Sequence, residues 1–289
     1  MLPPPALLSR ILASHMARIL ALSSYVAYGH VGLAAVVPAL QAMRHEVIAI
    51  PTVVLSSHKG YDTVRGFPLT GEQIDGLIEA LAANGWLDDV DAVLTGYMPS
   101  AEVAGSVARA LAHLGTANPE ILYLCDPVLG DDPGGLYVGE DVAVAMRDRL
   151  VPLADIVTPN RFELAWLSGL PVDSPADADA ASDEIGADLL VATSIPAGER
   201  MIANVYSTPE QAGRAEHERF PQVPHGTGDL FAALLLGHML EGCDAADATS
   251  RATAGVRLVI EASLDTDELR LTGNVEAVVN AEQPWIPDL

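Results

Sequence analysis

Segments with helical periodicity alternate with short apolar, strand-like segments along the first two thirds of the chain. The predicted strands are Ile19–Ser23, Glu46–Leu55, Ala92–Thr95, Ile121–Cys125, Asp155–Thr158 and Leu189–Thr193. The predicted helices are Ala34–Met43, Gly71–Ala83, Ser100–Leu114, Glu140–Leu150, Arg161–Leu167 and Pro175–Ile185. This alternation, with short connecting loops, is typical of an α/β fold in which helices cover both faces of a mostly parallel sheet.

The pattern changes after Thr193. The segments Ile202–Tyr206 and Glu218–Phe220 predict an antiparallel pair of strands around a polar stretch, and the segments Gly228–Glu241 and Ala245–Leu264 predict two long helices. No repeat or linker divides the chain, so we expect one domain over residues 16–289. Residues 1–15 are apolar and rich in proline, and we expect them to be a disordered extension or to precede a natural start at Met16.

The charge of the chain limits its partners. Its 289 residues carry a formal net charge of −24. Nucleic acids and anionic membranes are therefore poor partners, because affinity for both comes from basic side chains on phosphates. A nucleotide substrate would need an accompanying cation for the same reason.

The cysteines and the apolar runs indicate the cellular setting. The chain has only two cysteines. Cys125 lies in an apolar run and Cys243 follows a glycine, so neither indicates a disulfide framework or a metal cluster. No apolar run approaches the length of a membrane span. We therefore expect a protein of the reducing cytoplasm.

The tetrapeptide Gly226–Asp229 (Gly-Thr-Gly-Asp) runs directly into the apolar segment Leu230–Leu236. The first amides of a helix have no internal partner, and the helix dipole adds partial positive charge there. Two glycines allow a bulky anion to approach these amides, which predicts a phosphate cradle. Asp229 in such a cradle is either a residue of the helix's first turn or the base that removes a proton from an attacking hydroxyl.

Polar residues follow the predicted strands, at the edge where ligands bind in sheets of this kind. Each of these residues also has an ordinary structural interpretation, as an acidic turn, a helix cap or a strand end. Together they favour magnesium-assisted phosphoryl transfer to an alcohol. The residues are Asp126, Asp131, Asn160, Glu163, Thr193 and Ser194. The chain contains neither a P-loop motif nor a Gly-x-Gly-x-x-Gly motif after its first strand.

These features resemble the pyridoxal kinases of the ribokinase superfamily, from about Arg18 to the second long helix. The segment Gly226–Phe231 is common to sugar and vitamin kinases, whereas Cys125–Asp131 together with Thr95–Tyr97 is more particular to pyridoxal kinases. The other matching segments are Tyr28–Gly32 and Thr158–Asn160 with Glu163. The resemblance implies a ribokinase-like fold, a homodimer and ATP-dependent phosphorylation of the 5′-hydroxymethyl group of pyridoxal, in vitamin B6 salvage.

The resemblance also implies a role for each matching residue. Asp229 is the implied general base, and the implied anion hole is Gly226, Thr227 and Gly228. The residues implied to organise Mg²⁺ are Asp131 and Glu163. The residues implied to contact ATP are Asp126, Asn160, Glu163, Thr227, Thr193 and Ser194. Of these, Thr193 and Ser194 contact either an ATP phosphate or a K⁺ or Na⁺ ion. The substrate residues are Ser24, His58, Lys59 and Tyr97, and Tyr137 is the implied lid.

Two positions depart from the family pattern. Leu33 stands where the family usually has Asn, and Lys59 replaces a Thr that contacts the substrate ring. We expect Lys59 to alter the preference among pyridoxal, pyridoxine and pyridoxamine.

Two alternatives remain open at this point. One keeps the reaction but changes the acceptor to hydroxymethylpyrimidine or a related heterocyclic alcohol. The other is a homologue that binds vitamin B6 without turnover.

Overall fold

A computed structural model describes residues 16–287. The fold is organised around a ten-stranded sheet. The expectations for residues 1–15 lie outside the described part of the chain. Ten strands form the sheet, in the spatial order β12-β11-β10-β9-β8-β5-β4-β1-β2-β3. They are β1 (Arg18–Val26), β2 (Glu46–Leu55), β3 (Gly66–Pro68), β4 (Ala92–Thr95), β5 (Leu122–Cys125), β8 (Ile156–Val157), β9 (Leu189–Pro196), β10 (Met201–Ser207), β11 (Ala212–Glu218) and β12 (Ile286–Pro287). The remaining strands, β6 (Gly130–Asp131) and β7 (Gly135–Leu136), form a separate hairpin.

The centre of the sheet is parallel. Strands β2, β1, β4, β5, β8 and β9 all pair in parallel, so their carboxyl ends meet at one edge. Strands β3, β10, β11 and β12 add antiparallel pairs at the two sides. The predicted α/β fold with a mostly parallel sheet is therefore confirmed.

Helices connect the strands and cover both faces of the sheet. They are α1 (Leu33–Ala42), α2 (Gly71–Ala83), α3 (Ala101–Ala117), α4 (Glu140–Ala145), α5 (Arg161–Ser168), α6 (Pro175–Ile185), α7 (Thr227–Leu240), α8 (Ala245–Ala262) and α9 (Val275–Val279). Several begin at a side chain that accepts a first-turn amide, as Ser100 does from Val103 and Asp244 does from Asp247. None of the described helices is long and apolar enough to cross a membrane.

Alternation along each strand divides the core into two layers. In β1, Ile19 and Ala21 pack with α1, α7 and α8, whereas Leu20 and Leu22 pack with α2 and α3 on the other face. Successive side chains of a strand point to opposite faces, which explains why the buried strands read as continuous apolar runs. Helix α7 lies in the first layer, with every residue from Leu230 to Met239 buried.

Two predicted elements differ from the structure. The partner of β10 is β11 (Ala212–Glu218) rather than Glu218–Phe220. The prediction missed this strand because the stretch is polar and only Gly213, Ala215 and His217 face inwards. The predicted helix Glu140–Leu150 is α-helical only as far as Ala145 and continues as a π-helical turn over Met146–Leu150.

Candidate active site

The candidate site lies at the carboxyl edge of the parallel strands. The loops after β1, β2, β4, β5, β8 and β9 all emerge there, since these strands run in the same direction. The start of α7 lies against the loop after β1, because a Cβ atom on Gly226 would collide with the carbonyl oxygen of His30. Ligands bind at this edge in open parallel sheets.

The predicted phosphate cradle falls on the first turn of α7. Gly226 precedes the helix with a φ of 96°, and no side chain caps the helix. A φ in this range and the contact with His30 both require glycine at this position. Around Gly228, a Cβ atom would meet nothing within 4 Å, so the space in front of the first turn is open to a ligand. The uncapped amides and the helix dipole make this turn suited to bind an anion.

Asp229 lies within this first turn as a partly buried carboxylate. Burial raises its pKa to about 6, against the opposing effect of backbone N–H groups of Gly32 and of Asp229 itself. A carboxylate with a pKa near 6 is ionised at neutral pH but is a stronger base than an ordinary aspartate. Ser24 lies beside the same Gly32, because a Cβ atom there would collide with the Ser24 backbone and hydroxyl oxygens. The structure thus brings Ser24 and Asp229 to either side of one glycine.

Carboxylates cluster beside Asp229. Burial raises the pKa of Asp126 well above its usual range, and Glu163 and Asp229 raise it further. Burial also raises the pKa of Tyr137, followed by the charges of Glu163, Asp126, Asp229 and Asp131. Tyr137 itself is 44% exposed, so it stands at the mouth of this carboxylate cluster. The charge cluster is suited to hold a cation.

Glu163 organises the loop after β5. Its Oε1 accepts the amide of Leu129 at 2.7 Å and that of Gly130 at 3.4 Å, and its Oε2 accepts the amide of Asn160 at 2.9 Å. Burial raises the pKa of Glu163 to about 7, and these three N–H groups act in the opposite direction. The capping box predicted for Asn160 and Glu163 is confirmed. The Glu163 carboxylate therefore holds the hairpin that carries Asp131.

Asp131 and Asp132 lie at the exposed tip of that hairpin. Arg161 Nε contacts Asp132 Oδ2 at 2.8 Å, and Arg161 Nη1 donates to the carbonyl oxygen of Val172 at 3.0 Å. Asn160 Nδ2 donates to the carbonyl oxygen of Gly130 at 2.8 Å. These contacts fix the hairpin to the start of α5, while the Asp131 side chain stays accessible.

The donor set fits Mg²⁺ together with a nucleotide. Within residues 16–287, no three His, Cys, Asp or Glu side chains are arranged to hold a metal ion by themselves. Magnesium in proteins usually keeps several waters and is held by one or two carboxylates together with substrate phosphates. Exposed Asp131, near the buried carboxylates of Asp126 and Glu163, meets this requirement.

Thr193 and Ser194 adjoin the same rim. Asn160 and Thr193 form a parallel bridge, which places the middle of β9 beside the Asn160–Glu163 cap. Ser194 is exposed and has a φ of 62°, in the left-handed region that non-glycine residues seldom adopt. Its amide donates to Asn204 Oδ1 at 3.3 Å, which supports this conformation. Ser194 is therefore exposed within β9, at the point where the pairing of this strand with β10 shifts register.

The predicted substrate loop contacts the loop after β4. Lys59 Nζ lies 3.3 Å from the hydroxyl oxygen of Tyr97 and 5.5 Å from the centre of its ring. The hydroxyl of Thr52 donates to the carbonyl oxygen of Tyr97 at 2.7 Å, and the amide of Tyr97 donates to Ser23 Oγ at 3.2 Å. Leu33, the other departure, is 2% exposed and packs in the core with α7. Of the two departures, Lys59 is the one at the rim.

The sequence interpretation missed several residues that line this region. Glu268, from the segment after α8, contacts the loops after β1 and β2, and His225 stacks on His58 with ring centres 4.4 Å apart. Glu268 belongs to no motif and is 238 residues from its partner His30, so no local pattern indicated it. His225 directly precedes Gly226, and this adjacency was the available signal.

The chain is a phosphotransferase of the ribokinase-like class, as its fold and the comparisons with known proteins establish. The family model described as phosphomethylpyrimidine kinase matches residues 29–274. The chain is 35% identical over 270 residues to pyridoxal kinase PdxY from Corynebacterium diphtheriae, covering 91% of this chain and 95% of that protein. The chain therefore belongs to the pyridoxal kinase family.

Solved structures agree with this assignment. Pyridoxal kinase from Leishmania donovani in complex with ADP and pyridoxamine superposes with a TM-score of 0.88 at 29% identity, covering 94% of this chain and 99% of that one. Pyridoxal kinase from Entamoeba histolytica superposes with a TM-score of 0.89 at 26% identity, covering 95% and 99%.

Proposed function

We propose that this protein phosphorylates the 5′-hydroxymethyl group of pyridoxal with ATP, in vitamin B6 salvage, with pyridoxine and pyridoxamine as further acceptors. The observation that carries the proposal is the position of Asp229, a partly buried carboxylate of pKa about 6 within the uncapped first turn of α7. The family relationship supports the acceptor, since the relative from Leishmania donovani was solved with ADP and pyridoxamine.

In the proposed reaction, Asp229 removes the proton from the acceptor hydroxyl. The oxygen then attacks the γ-phosphorus of ATP, and the bond to the ADP leaving oxygen breaks. The amides at Gly226, Thr227 and Gly228 bind the transferred phosphoryl group through fixed dipoles. When bound, Mg²⁺ neutralises phosphate charge that this acidic rim would otherwise repel.

The other rim residues bind and orient the two substrates in this proposal. Ser24 and Tyr97 hold the ring of the acceptor, with His58 and Lys59 in the loop beside it. Asp131, with Asp126, Asn160 and Glu163 around it, places Mg²⁺ and the ATP phosphates. Thr193 and Ser194 contact a phosphate or a K⁺ or Na⁺ ion, and Tyr137 closes over the site.

A cellular setting and an assembly complete the proposal. We propose that residues 16–289 act as one kinase domain, in a cytoplasmic homodimer. Both cysteines are free, and Cys125 is buried, which fits a reducing compartment. Light scattering on the purified protein measures the oligomeric state, and a monomeric mass would reject the dimer.

Hydroxymethylpyrimidine is the second candidate acceptor, because the family model that matches residues 29–274 carries the description phosphomethylpyrimidine kinase. One assay separates the candidates. ADP release with magnesium-ATP is measured with pyridoxal, pyridoxine, pyridoxamine or hydroxymethylpyrimidine, each beside Asp229→Ala. Turnover with pyridoxal that is lost in the variant supports the proposal. Turnover with the pyrimidine alone would keep the reaction and identify hydroxymethylpyrimidine as the acceptor. Vitamin binding without turnover on any acceptor would favour the non-catalytic homologue.

A further inference from the structure

The side chain of Glu268 joins two loops of the site from outside the parallel sheet. Its Oε1 accepts from the Tyr61 hydroxyl at 2.8 Å and lies 3.0 Å from His58 Nε2, and its Oε2 accepts from the His30 amide at 3.3 Å. The side chain of Glu268 is only 14% exposed. A partly buried carboxylate with three donors from two separate loops fixes those loops relative to each other.

The first connection from Glu268 to the site runs through His30. Its amide is held by Glu268, while its carbonyl oxygen lies against the Cα of Gly226, the residue that precedes α7. Two residues further along the same loop, Gly32 donates its amide to the Asp229 carboxylate. A shift of the His30 segment would therefore move both the start of the phosphate cradle and a hydrogen bond to the base.

The second connection runs through His58. Its Nδ1 accepts the Gly60 amide at 3.1 Å, so this nitrogen carries no hydrogen. The imidazole hydrogen is therefore on Nε2, which donates it to Glu268. The oriented ring stacks on His225, the neighbour of Gly226, with ring centres 4.4 Å apart. Glu268 thus sets the orientation of a ring that packs behind the phosphate cradle.

The two connections end at the same residue. Through His30, Glu268 reaches the face of Gly226, and through His58 and His225 it reaches the peptide bond before Gly226. We propose that Glu268 is a positioning residue, which holds the acceptor-binding loop and the phosphate cradle in one arrangement. This inference rests on the proposed function and adds a residue that acts through His30 and His58 rather than by touching substrate. All three partners of the carboxylate are donors, so the position requires an acceptor at both oxygens.

Steady-state kinetics of Glu268→Ala and Glu268→Gln test the proposal. Glutamine retains an oxygen for Tyr61 and His58 but turns its amide towards the His30 N–H, so it restores two of three contacts. For Glu268→Ala, we expect kcat/KM for pyridoxal to fall by about 10-fold or more, the effect of losing one charge-assisted hydrogen bond or more. The KM for pyridoxal rises and kcat falls, while the KM for magnesium-ATP stays unchanged. The kcat/KM of Glu268→Gln for pyridoxal should lie between the values of Glu268→Ala and wild type.

Glu241→Ala is the matched control. Glu241 Oε2 also pairs with a histidine, His238, at 3.2 Å, but at the opposite end of α7. A purely structural role for Glu268 would lower the amount of active protein and leave both KM values unchanged, as is also expected of any loss in the control. Kinetics of Glu268→Ala equal to those of Glu241→Ala would overturn the proposal.

A readout without activity separates this inference from the proposed function. In protein labelled with ¹⁵N-histidine, and with His58 assigned through His58→Gln, we expect Nε2 of wild-type His58 to carry a hydrogen and Nδ1 to carry none. Glu268→Ala removes the acceptor of the Nε2 hydrogen, so the Nε2 signal of His58 should shift, while Nδ1 still accepts the Gly60 amide. Identical His58 signals in wild type and variant would reject the inference, even in a protein that phosphorylates no acceptor. A wild type without turnover, together with the expected shift of the Nε2 signal in the variant, would reject only the proposed function.

Discussion

The ammonium group of Lys59 lies 3.3 Å from the hydroxyl oxygen of Tyr97 and 5.5 Å from the centre of its ring. Lys59 comes from the loop after β2 and Tyr97 from the loop after β4, so this contact bridges the two loops that flank the proposed acceptor. Lys59 is exposed, and it is the one lysine or arginine of the loop Ser56–Tyr61. The departure from the family pattern at this position is therefore a contact within the site.

Lys59→Thr tests whether this contact sets acceptor preference. We expect the order of kcat/KM among pyridoxal, pyridoxine and pyridoxamine to change, with relative gains for pyridoxamine, because removing one cation removes repulsion of its amine. The shift is about 2- to 5-fold, the effect of a charge contact at an exposed position. The same order of acceptors in both proteins would show that Lys59 does not choose among them.

The activity should decline in acid as Asp229 takes up a proton. With a pKa of about 6, Asp229 is ionised above that pH and neutral below it. The base form is therefore lost below about pH 6, and kcat/KM should fall about tenfold per pH unit there. The pH profile is measured with wild-type protein at saturating magnesium-ATP. An activity that stays constant to pH 4.5 would show that Asp229 is not the base.

Asp229→Asn should raise stability at neutral pH while abolishing most turnover. The pKa of Asp229 is raised in the folded state, so ionisation costs stability; this cost is absent below the unfolded pKa and is complete above about pH 6. We expect Asn to add about 1–3 kcal/mol to the free energy of unfolding at pH 7.5, and nothing near pH 3.5. The kcat should fall by about 10²-fold or more. Urea denaturation at both pH values checks the first effect, and equal stability of the two proteins at pH 7.5 would contradict it.

Gly226→Ala should damage both folding and catalysis. A φ of 96° and the carbonyl of His30 leave no room for a methyl group, and the left-handed conformation alone costs about 1–2 kcal/mol for a non-glycine residue. We expect a lower free energy of unfolding and a lower kcat, since the cradle amides must shift. Gly76→Ala is the control, because nothing lies within 4 Å of its Cβ position in α2. That variant should gain about 0.5–1 kcal/mol. A Gly226→Ala protein as stable and as active as the control would refute the steric account.

Glu163→Ala should loosen the hairpin that carries Asp131. It leaves the amides of Leu129, Gly130 and Asn160 without their carboxylate acceptor. We expect a loss of about 2–4 kcal/mol in the free energy of unfolding and a higher KM for magnesium-ATP. Glu282→Ala removes only an exposed ion pair with Arg251 and should cost less than about 1 kcal/mol. A normal KM for magnesium-ATP in folded Glu163→Ala would exclude this carboxylate from nucleotide positioning.

The sequence predicted the parallel sheet and its rim because the relevant signals are local. Strand and helix periods are visible within ten residues, and the segment Gly226–Asp229 shows both the helix start and its glycines. The prediction misplaced β11 because the residues of this strand that face inwards, Gly213, Ala215 and His217, are not strongly apolar. Its period of two was present, but hydrophobicity did not mark it.

Glu268 could not be predicted for a different reason. It follows Asp265, Thr266 and Asp267, and such an acidic run reads as a solvated turn. Its partners His30 and His58 lie more than 200 residues away, so only the tertiary fold brings the donors to it. The roles of Glu163 and Asn160 were visible as a local cap, whereas their hold on the Gly130 hairpin was not.

Helix α7 is the most enclosed helix of the described chain, with every residue from Leu230 to Met239 buried. Its first turn is therefore anchored to the same side chains that keep the protein folded. Substitutions that disturb the packing of α7 behind this first turn therefore lower solubility and yield, whereas the loop Ser56–Tyr61 can vary at little cost to the core. Divergence towards new acceptors is thus expected to follow the loops, and the chemistry of phosphoryl transfer to stay fixed across proteins that share this helix.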